Sequence, residues 1–530
     1  MYNKFLGRKL RLFSKKLYNK SNWYHKFIGL SIILPLIWMS ISGILLNHKE
    51  LIEDYTMPHW LVPPMYNINN FTRSSIIDFV KIDDKTFIAG KKGIYLLDNK
   101  KLISFSNGLR DEVILRKVWD LHYLKNKNIL LAATEGGLYY LPIKENLLTN
   151  MKQSKESIWK KINITNSPIK KIVETDDELL IFTSSDFFLS TKDLNFKKVT
   201  PKRDENNHVT MIELFFHLHD GSAWGMVGKI IFDISGLIII FLSISAFYIW
   251  FLPRRLIKKK GNLKRKRKVY RFFHKYHNKM GLYFIFTILL IAFTAIFMRP
   301  PLIVAITDIM VPDIFYPAPR FENPWDKRIE NALYDKKRDK LLVQCSDGIW
   351  SSNPNLETPF TKEKFKPYFI MGASYFEEVN GDYIIGSFSG LYRYSPDSDK
   401  IFDMISKKYV KEVSRVRPSK KHMVTSYFKY NNKEYITTHI NGLMDIDGNK
   451  VTLFEQPKIM NEIRLPLWNW MFELHNGRMF KMIIGKWYII LVPISSILFF
   501  LILISGLFDY LYTSRTKRRI KKAKASTKKQ

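Results

Sequence analysis

Four stretches of the chain stay apolar for about 20 residues, the length a helix needs to cross the hydrocarbon of a bilayer. They lie at about 27–47, 229–252, 281–299 and 487–510. Between them the pattern changes to short apolar runs separated by polar turns. "FIAGKKGIYLLD" (87–98), "LLAATEGGLYYL" (130–141) and "LLIFTSSDFFLS" (179–190) come from one interval. "LLVQCSDGIWSS" (341–352), "YIIGSFSGLYRY" (383–394) and "YITTHINGLMDI" (435–446) come from the other. Each unit predicts a strand, a turn usually holding glycine, and a second strand with an aromatic or large apolar residue.

The glycine-to-glycine steps are 44 residues (93 to 137), 42 (348 to 390) and 52 (390 to 442). Periods of that size with several short strands per unit suggest propeller blades. Three units cannot close a ring, but three from each interval make a six-bladed one. The alternative is two separate small antiparallel β domains. The predicted fold class is therefore a membrane protein: a four-helix transmembrane bundle from an internal duplication, with an all-β, propeller-like extracytoplasmic domain formed by two blocks. The predicted spans are 27–47, 223–252, 281–299 and 483–512. Residues 48–222 and 300–482 form the two β blocks. The first apolar run is too long for a signal peptide and no small-x-small cleavage site follows it, so an uncleaved anchor is expected.

Charge fixes the expected orientation. The net charge of +36 would suit a nucleic-acid binder, but its distribution does not. Lys and Arg number 8 in residues 1–26, 13 in 254–279 and 9 in 515–530, and these segments contain no Asp or Glu. Short basic segments flanking spans are what the positive-inside rule places in the cytoplasm. "RRLIKKKGNLKRKRK" (254–268) would also be drawn to anionic membrane lipid. The expectation is a bacterial inner-membrane protein with residues 1–26, 253–280 and 513–530 cytoplasmic, both blocks periplasmic, and no nucleic-acid partner.

One cysteine, Cys345, leaves no intrachain disulfide, no C-x-x-C-H haem attachment and no cysteine-ligated cluster. It lies in a strand-like run and is expected in the core. H-E-x-x-H, G-x-G-x-x-G and P-loop motifs are absent. Zinc is the weaker expectation, because it usually takes three or four protein ligands. With no nucleotide site, electrons would have to come from a separate donor.

The histidines carry the candidate chemistry. "WYHKFIGL" opens the first span and "KYHNKMGL" the third, pairing His25 with His277. "LHDG" precedes the second span and "LHNG" the fourth, pairing His219 with His475, and a Gly-Lys at 228–229 or 485–486 follows. Seventeen residues after His25 and His277 come Ser42-Gly43 and Thr294-Ala295. On a straight helix these share the histidine's own face, where small side chains would make room for a flat macrocycle. Two imidazoles facing each other between helices form the axial ligation of a b-type haem. His25 with His277, and His219 with His475, are therefore the predicted ligands of two haem irons. His48, His217 and His274 are alternates. Asp233 inside the second span reads as a proton or hydrogen-bond partner, or as a helix-packing contact.

"WYHKFIGL…ISG", "HKYHNKMGL" and the two "LH(D/N)G…GK" stretches resemble the PepSY-associated transmembrane helix family, which includes periplasm-facing ferric-siderophore reductases of bacterial inner membranes. The resemblance covers the spans and the motifs before them, roughly a quarter of the chain. It implies four helices, two outside domains and two b haems on opposite membrane sides, the inner one on His25 and His277 and the outer one on His219 and His475. It implies an electron donor, quinol or a cytoplasmic flavoprotein, and an acceptor, a small-molecule ferric chelate or a periplasmic protein. The outside blocks depart from the family: they lack the usual PepSY pattern and look like propeller repeats of bacterial sensors. The rival expectation is accordingly a haem-free, propeller-bearing membrane sensor or assembly subunit that signals through a partner.

Overall fold

A computed structural model of the chain describes residues 2–52, 54–110, 116–143, 158–191, 193–204, 208–257, 263–306, 309–312, 314, 323–364, 372–411, 419, 421–461 and 465–527. The chain divides into two compact units. One gathers residues 1–52, 207–319 and 467–530, and the other gathers 53–206 and 320–466. The first is helical and the second is built of antiparallel sheets.

The helical unit contains α1 (Tyr2–Ser31), α2 (Ile33–Asn47), α3 (Met211–Asp220), α4 (Gly225–Ile257), α5 (Leu263–Tyr283), α6 (Ile285–Phe297), α7 (Leu467–His475) and α8 (Tyr488–Thr527). Among the described residues, Ser222–Arg254 and Arg478–Arg518 are long and apolar enough to cross a membrane as single helices. The other two apolar runs are broken. Ser14–Ser31 meets Ile33–Asn47 at 62°, and Leu263–Tyr283 meets Ile285–Phe297 at 69°. The apolar runs 27–47 and 281–299, expected as continuous helices, are therefore each bent within the run.

The bends occur at Ile32 and Phe284, each seven residues after its histidine, with nearly identical backbone angles (φ −104°, ψ 9° and φ −101°, ψ 9°). Three residues beyond Ile32 stands Pro35, which has no N–H to offer the preceding turn. Thr287 holds the matching place in the second copy, and its hydroxyl donates to the Phe284 carbonyl at 3.0 Å. Both are recognised causes of helix bending. Ile32, Ile239, Ile288, Ala292, Phe499, Ile502 and Leu503 meet in one core, so α4, α6, α8 and the α1–α2 joint all contribute to it.

Residues 207–222, 302–306 and 467–482, which the sequence pattern assigned to the β blocks, belong to this helical unit. They include α3 and α7, the two short helices that carry His219 and His475.

In the second unit all six predicted strand pairs form antiparallel hairpins; five lie inside a meander and the sixth ends a three-stranded one. The sheets span residues 76–104, 118–162, 171–199, 329–362, 375–410 and 424–445. Each sheet buries its face against the next. Phe87 and Leu96 of the first pack with Leu130 and Tyr139 of the second. Leu131 continues to Ile181 of the third, and Phe182 to Trp350 of the fourth. Ile349 packs with Phe376 of the fifth, and Ile384 with Ile436 of the sixth. The sixth then returns to the first through Phe428 and Tyr435 against Ile88 and Tyr95. The packing order is therefore cyclic, and the last contact joins the two blocks of sequence.

Two local devices repeat with the sheets. The register shifts in the first strand between Ile76 and Asp78, Val118 and Asp120, Ile329 and Asn331, and Val424 and Ser426, a recurrent bulge. The central turn places glycine at positive φ in five sheets. At Gly442 a Cβ would stand 1.6 Å from the Asn70 carbonyl oxygen, so only glycine serves there. Cys345 is 2% exposed in the core with Trp325 and Trp350, as expected of it.

Candidate functional site: two histidine pairs in the helical unit

The "LHDG" and "LHNG" stretches are helix stops. Thr210 caps α3 by accepting from the Glu213 N–H, and the helix ends after Asp220 at Gly221, whose φ is +80°. Gly477, φ +76°, follows α7 in the same way. Glycine adopts this left-handed conformation without steric cost. Each stop leaves a histidine in the last helical turn, two residues before the glycine. The Gly-Lys pairing is corrected by the backbone. Gly485 (φ +56°, ψ −135°) matches Gly225 (φ +64°, ψ −150°), whereas Gly228 lies inside α4. Gly228 instead packs so closely on Gly221 that a Cβ would meet the Gly221 carbonyl oxygen at 2.1 Å.

The four duplicated histidines come together as two pairs. The His25 and His277 ring centroids are 6.3 Å apart with planes at 85°. Those of His219 and His475 are 6.2 Å apart with planes at 65°. A metal–imidazole bond of about 2.0 Å, with a ring centre roughly 1.1 Å beyond the nitrogen, puts two rings sharing one metal about 6.2 Å apart. Both pairs have that spacing.

Hydrogen bonds decide which nitrogen is free. His475 Nδ1 lies 2.9 Å from Ser42 Oγ and 3.1 Å from the Met39 carbonyl. Ser42 already donates its hydroxyl proton to the Trp38 carbonyl at 2.7 Å, so toward the ring it accepts. Nδ1 therefore carries the proton, and Nε2 keeps its lone pair. The arrangement recurs at every member of the set. His219 Nδ1 donates to Thr294 Oγ1 at 3.0 Å, and Thr294 donates to the Leu290 carbonyl at 2.8 Å. His277 Nδ1 donates to Ser245 Oγ at 2.7 Å, and Ser245 donates to the Leu242 carbonyl at 2.9 Å. His25 Nδ1 donates to the Ile502 carbonyl at 3.0 Å, with Ser505 Oγ at 3.3 Å; Ser505 also donates to the Ile502 carbonyl, at 2.8 Å. A carbonyl or hydroxyl on Nδ1 is the outer support that metal-ligating histidines ordinarily have.

Each histidine is thus held from another helix: His25 from α8, His277 from α4, His219 from α6 and His475 from α2. Ser42-Gly43 and Thr294-Ala295 do not clear space beside His25 and His277, which corrects that expectation. They serve the other pair, and a Cβ on Gly43 would meet His475 Cε1 at 3.3 Å. Ser245 and Ser505 hold the first pair in the same way, although the sequence pattern did not single them out. The signal was present, since Ser42-Gly43, Ser245-Ala246, Thr294-Ala295 and Ser505-Gly506 put at least one hydroxyl–small dipeptide in every apolar run.

The alternates are engaged elsewhere. His48 Nε2 is 2.9 Å from Asp233 Oδ2, and Asn47 donates to the other oxygen at 2.9 Å, so Asp233 ties α4 to the end of α2. His217 Nδ1 lies 2.5 Å from Ser222 Oγ. His274 is exposed beside Tyr270. No group of three or more His, Cys, Asp or Glu among the described residues is arranged to hold a metal ion.

The sheet unit has its own polar centre. Lys171 Nζ donates to Asp120 at 2.8 Å and to Glu377, bridging the third sheet to the second and the fifth. Burial works against the Lys171 charge, yet Asp120 and Glu377 hold its pKa well above that of a free lysine. Burial first, then the Asp120 charge, pushes Asp78 up to about 7. The Asp78 oxygens accept from the Phe79 and Leu121 amides at 2.8 and 2.7 Å. These groups satisfy one another and clasp neighbouring sheets. His122 pairs with Glu174 at 2.8 Å, and His439 lies against Phe388.

Apolar helices that clasp imidazole pairs define an integral membrane protein. The chain belongs to the family described as the PepSY-associated TM region, which is matched at residues 119–253 and 199–487. No curated protein matches it. Among solved structures, it is similar at 10% identity and a TM-score of 0.31 to the extracellular domain of BT4673 from B. thetaiotaomicron, covering 72% of this chain and 39% of that one. It is similar at 9% identity and a TM-score of 0.21 to PorZ, a surface component of the type-IX secretion system of Porphyromonas gingivalis, covering 72% and 40%. The computationally designed Ika8 protein gives 8% identity and a TM-score of 0.26, covering 71% and 98%. The chain thus spans about two fifths of the BT4673 and PorZ chains.

Proposed function

We propose that this protein is a transmembrane b-type dihaem electron-transfer protein that delivers electrons to a periplasmic acceptor, a ferric siderophore or another Fe(III) chelate. One observation carries the reading: two histidine pairs, each at single-metal spacing, each with Nδ1 tied back to a neighbouring helix. His25 and His277 would hold one haem, and His219 and His475 the other. Haem so bound would supply reversible one-electron chemistry. The four histidines present neutral Nε2 donors, and the serine, threonine and carbonyl partners orient them and raise their basicity.

The bent and straight apolar helices form a four-helix bundle in the bacterial inner membrane, with the basic segments cytoplasmic and the sheet unit periplasmic. The cyclic order of six sheets supports a six-bladed propeller that binds the acceptor or a partner protein. Electrons enter from quinol or from a cytoplasmic flavoprotein. One electron reduces one chelated Fe(III) to Fe(II), which hard oxygen ligands hold less tightly.

The test is a dithionite-reduced minus oxidised spectrum of protein purified from haem-replete cells, followed by reoxidation with a ferric chelate. A b-type spectrum that the chelate abolishes supports the proposal. A colourless protein refutes it and favours a haem-free sensor or assembly subunit built around the six sheets.

A further inference from the structure

The internal duplication puts the same corner in the molecule twice, and the two corners have opposite chemistry. The alignment that pairs His25 with His277 sets Asn47 against Arg299, and the one that pairs His219 with His475 sets Asp220 against Asn476 and Ser222 against Arg478. In the first corner everything is satisfied internally. Asn47 Nδ2 donates to Asp233, His48 closes on the same carboxylate, and Asp220 Oδ1 accepts from the amide and hydroxyl of Ser222 at 2.8 and 2.5 Å. Two carboxylates stand there.

The second corner is cationic and its donors are left over. Arg299 and Arg478 are charged neighbours, and the Arg299 guanidinium lies 5.9 Å from the Tyr488 ring centre. One carboxylate, Glu473, accepts from Arg478 Nη1 at 2.9 Å. Asn476 spends its oxygen on the Arg478 amide at 3.0 Å. Its Nδ2 is buried without a partner, and so is Arg299 Nε. Unpartnered buried donors next to paired guanidiniums call for an anionic acceptor. Both lie within a short stretch of the His219–His475 pair: Asn476 follows His475, and Arg299 comes five residues after Thr294, which holds His219.

We infer that Arg299, Arg478 and Asn476 form a carboxylate seat that receives the propionate groups of a tetrapyrrole held by His219 and His475. This rests on the haem reading of that pair and adds what fixes the macrocycle's orientation. A guanidinium binds a carboxylate through two parallel N–H bonds, so two arginines suit a group with two carboxylates. The first corner, with Asp220 and Asp233, would repel the same groups, so the seat gives the macrocycle one orientation across the internal pseudosymmetry.

The test is a titration of the full-length protein, made haem-poor by expression in haem-limited cells, with ferric haem b and with its dimethyl ester. In the wild type the ester should bind one of two sites about tenfold or more weaker than haem does. Arg299→Gln with Arg478→Gln should weaken haem at that site by a similar factor and abolish discrimination against the ester. Arg299→Lys with Arg478→Lys should restore part of it. Wild type that binds haem and ester alike overturns the seat alone. So does a double Gln variant that loses affinity for both ligands equally, or for neither. A variant that loses a co-purifying anionic phospholipid while keeping haem assigns the corner to lipid phosphate and overturns it too. Wild type that binds neither porphyrin refutes the haem reading, and the seat with it.

Discussion

At the scale of single residues the account rests on a proton. Ser42, Thr294, Ser245 and Ser505 each commit their own hydroxyl hydrogen to a helix carbonyl. Each imidazole must therefore donate from Nδ1 and present Nε2 as a base. Thr294→Val keeps the shape and removes the acceptor. His219 would then have only the Ile291 carbonyl, so haem affinity at the His219–His475 pair should fall by about tenfold, the low end for loss of such a support. Its midpoint potential should rise as the ligand becomes less basic, while the other haem is unaffected; redox titration monitored in the Soret region reads both. The four histidines were legible because they are duplicated. The role of Ser42 and Thr294 was not, for a geometric reason. Assigning them to the helix face of His25 and His277 assumed straight helices, and the bends at Ile32 and Phe284 lie between. In the sequence Arg299 stands out only as the last residue before Pro300 and Pro301. Its unpartnered Nε becomes visible only with Arg478 and Asn476 beside it.

At the scale of elements, the histidine-bearing helices α3 and α7 depend on where they stop. Gly477 has space for a methyl group, with Val492 Cγ2 at 3.4 Å, so Gly477→Ala should cost only the left-handed backbone, about 1 kcal/mol. Gly221 has the same φ, but its Cβ would press on the Gly228 carbonyl oxygen at 2.7 Å. Gly221→Ala should therefore lower the melting temperature more and reduce haem content at the His219–His475 pair, whereas Gly477→Ala largely retains it. Equal effects would mean that the close approach of Gly221 and Gly228 carries no weight. The strands were legible as alternating runs closed by turns, and all six hairpins stand where that pattern put them. Helices α3 and α7 were hidden because short, mixed-polarity helices beside a long apolar run show no period of their own.

At the scale of the whole molecule, the duplication gives each histidine pair one member from each half, and the six sheets pack on one another in cyclic sequence order. The sheet unit carries a pH signature in Asp78, whose pKa is raised from 3.8 to about 7 by burial and then by Asp120. Between those values the folded state holds a proton that the unfolded state has released. This group therefore stabilises less and less as pH rises from about 4 to 7, then levels off. Asp78→Asn should flatten that part of the melting-temperature profile, and an unchanged slope would assign it to other groups. The cyclic order was legible only as a possibility, because nothing in a period of 40 to 50 residues tells a closed ring of six from two separate sets of three.

The central claim is that ligands act in pairs across the two halves. Haem-to-protein stoichiometry, with low-temperature difference spectra, measures it on wild type and on His25→Ala, His277→Ala, His219→Ala and His475→Ala. The account predicts two haems per wild-type chain and one in every variant. His25→Ala and His277→Ala should lose the same spectral component, and His219→Ala and His475→Ala the other. Four variants with unchanged haem content, or losses grouped by half of the chain rather than by facing pair, would contradict it.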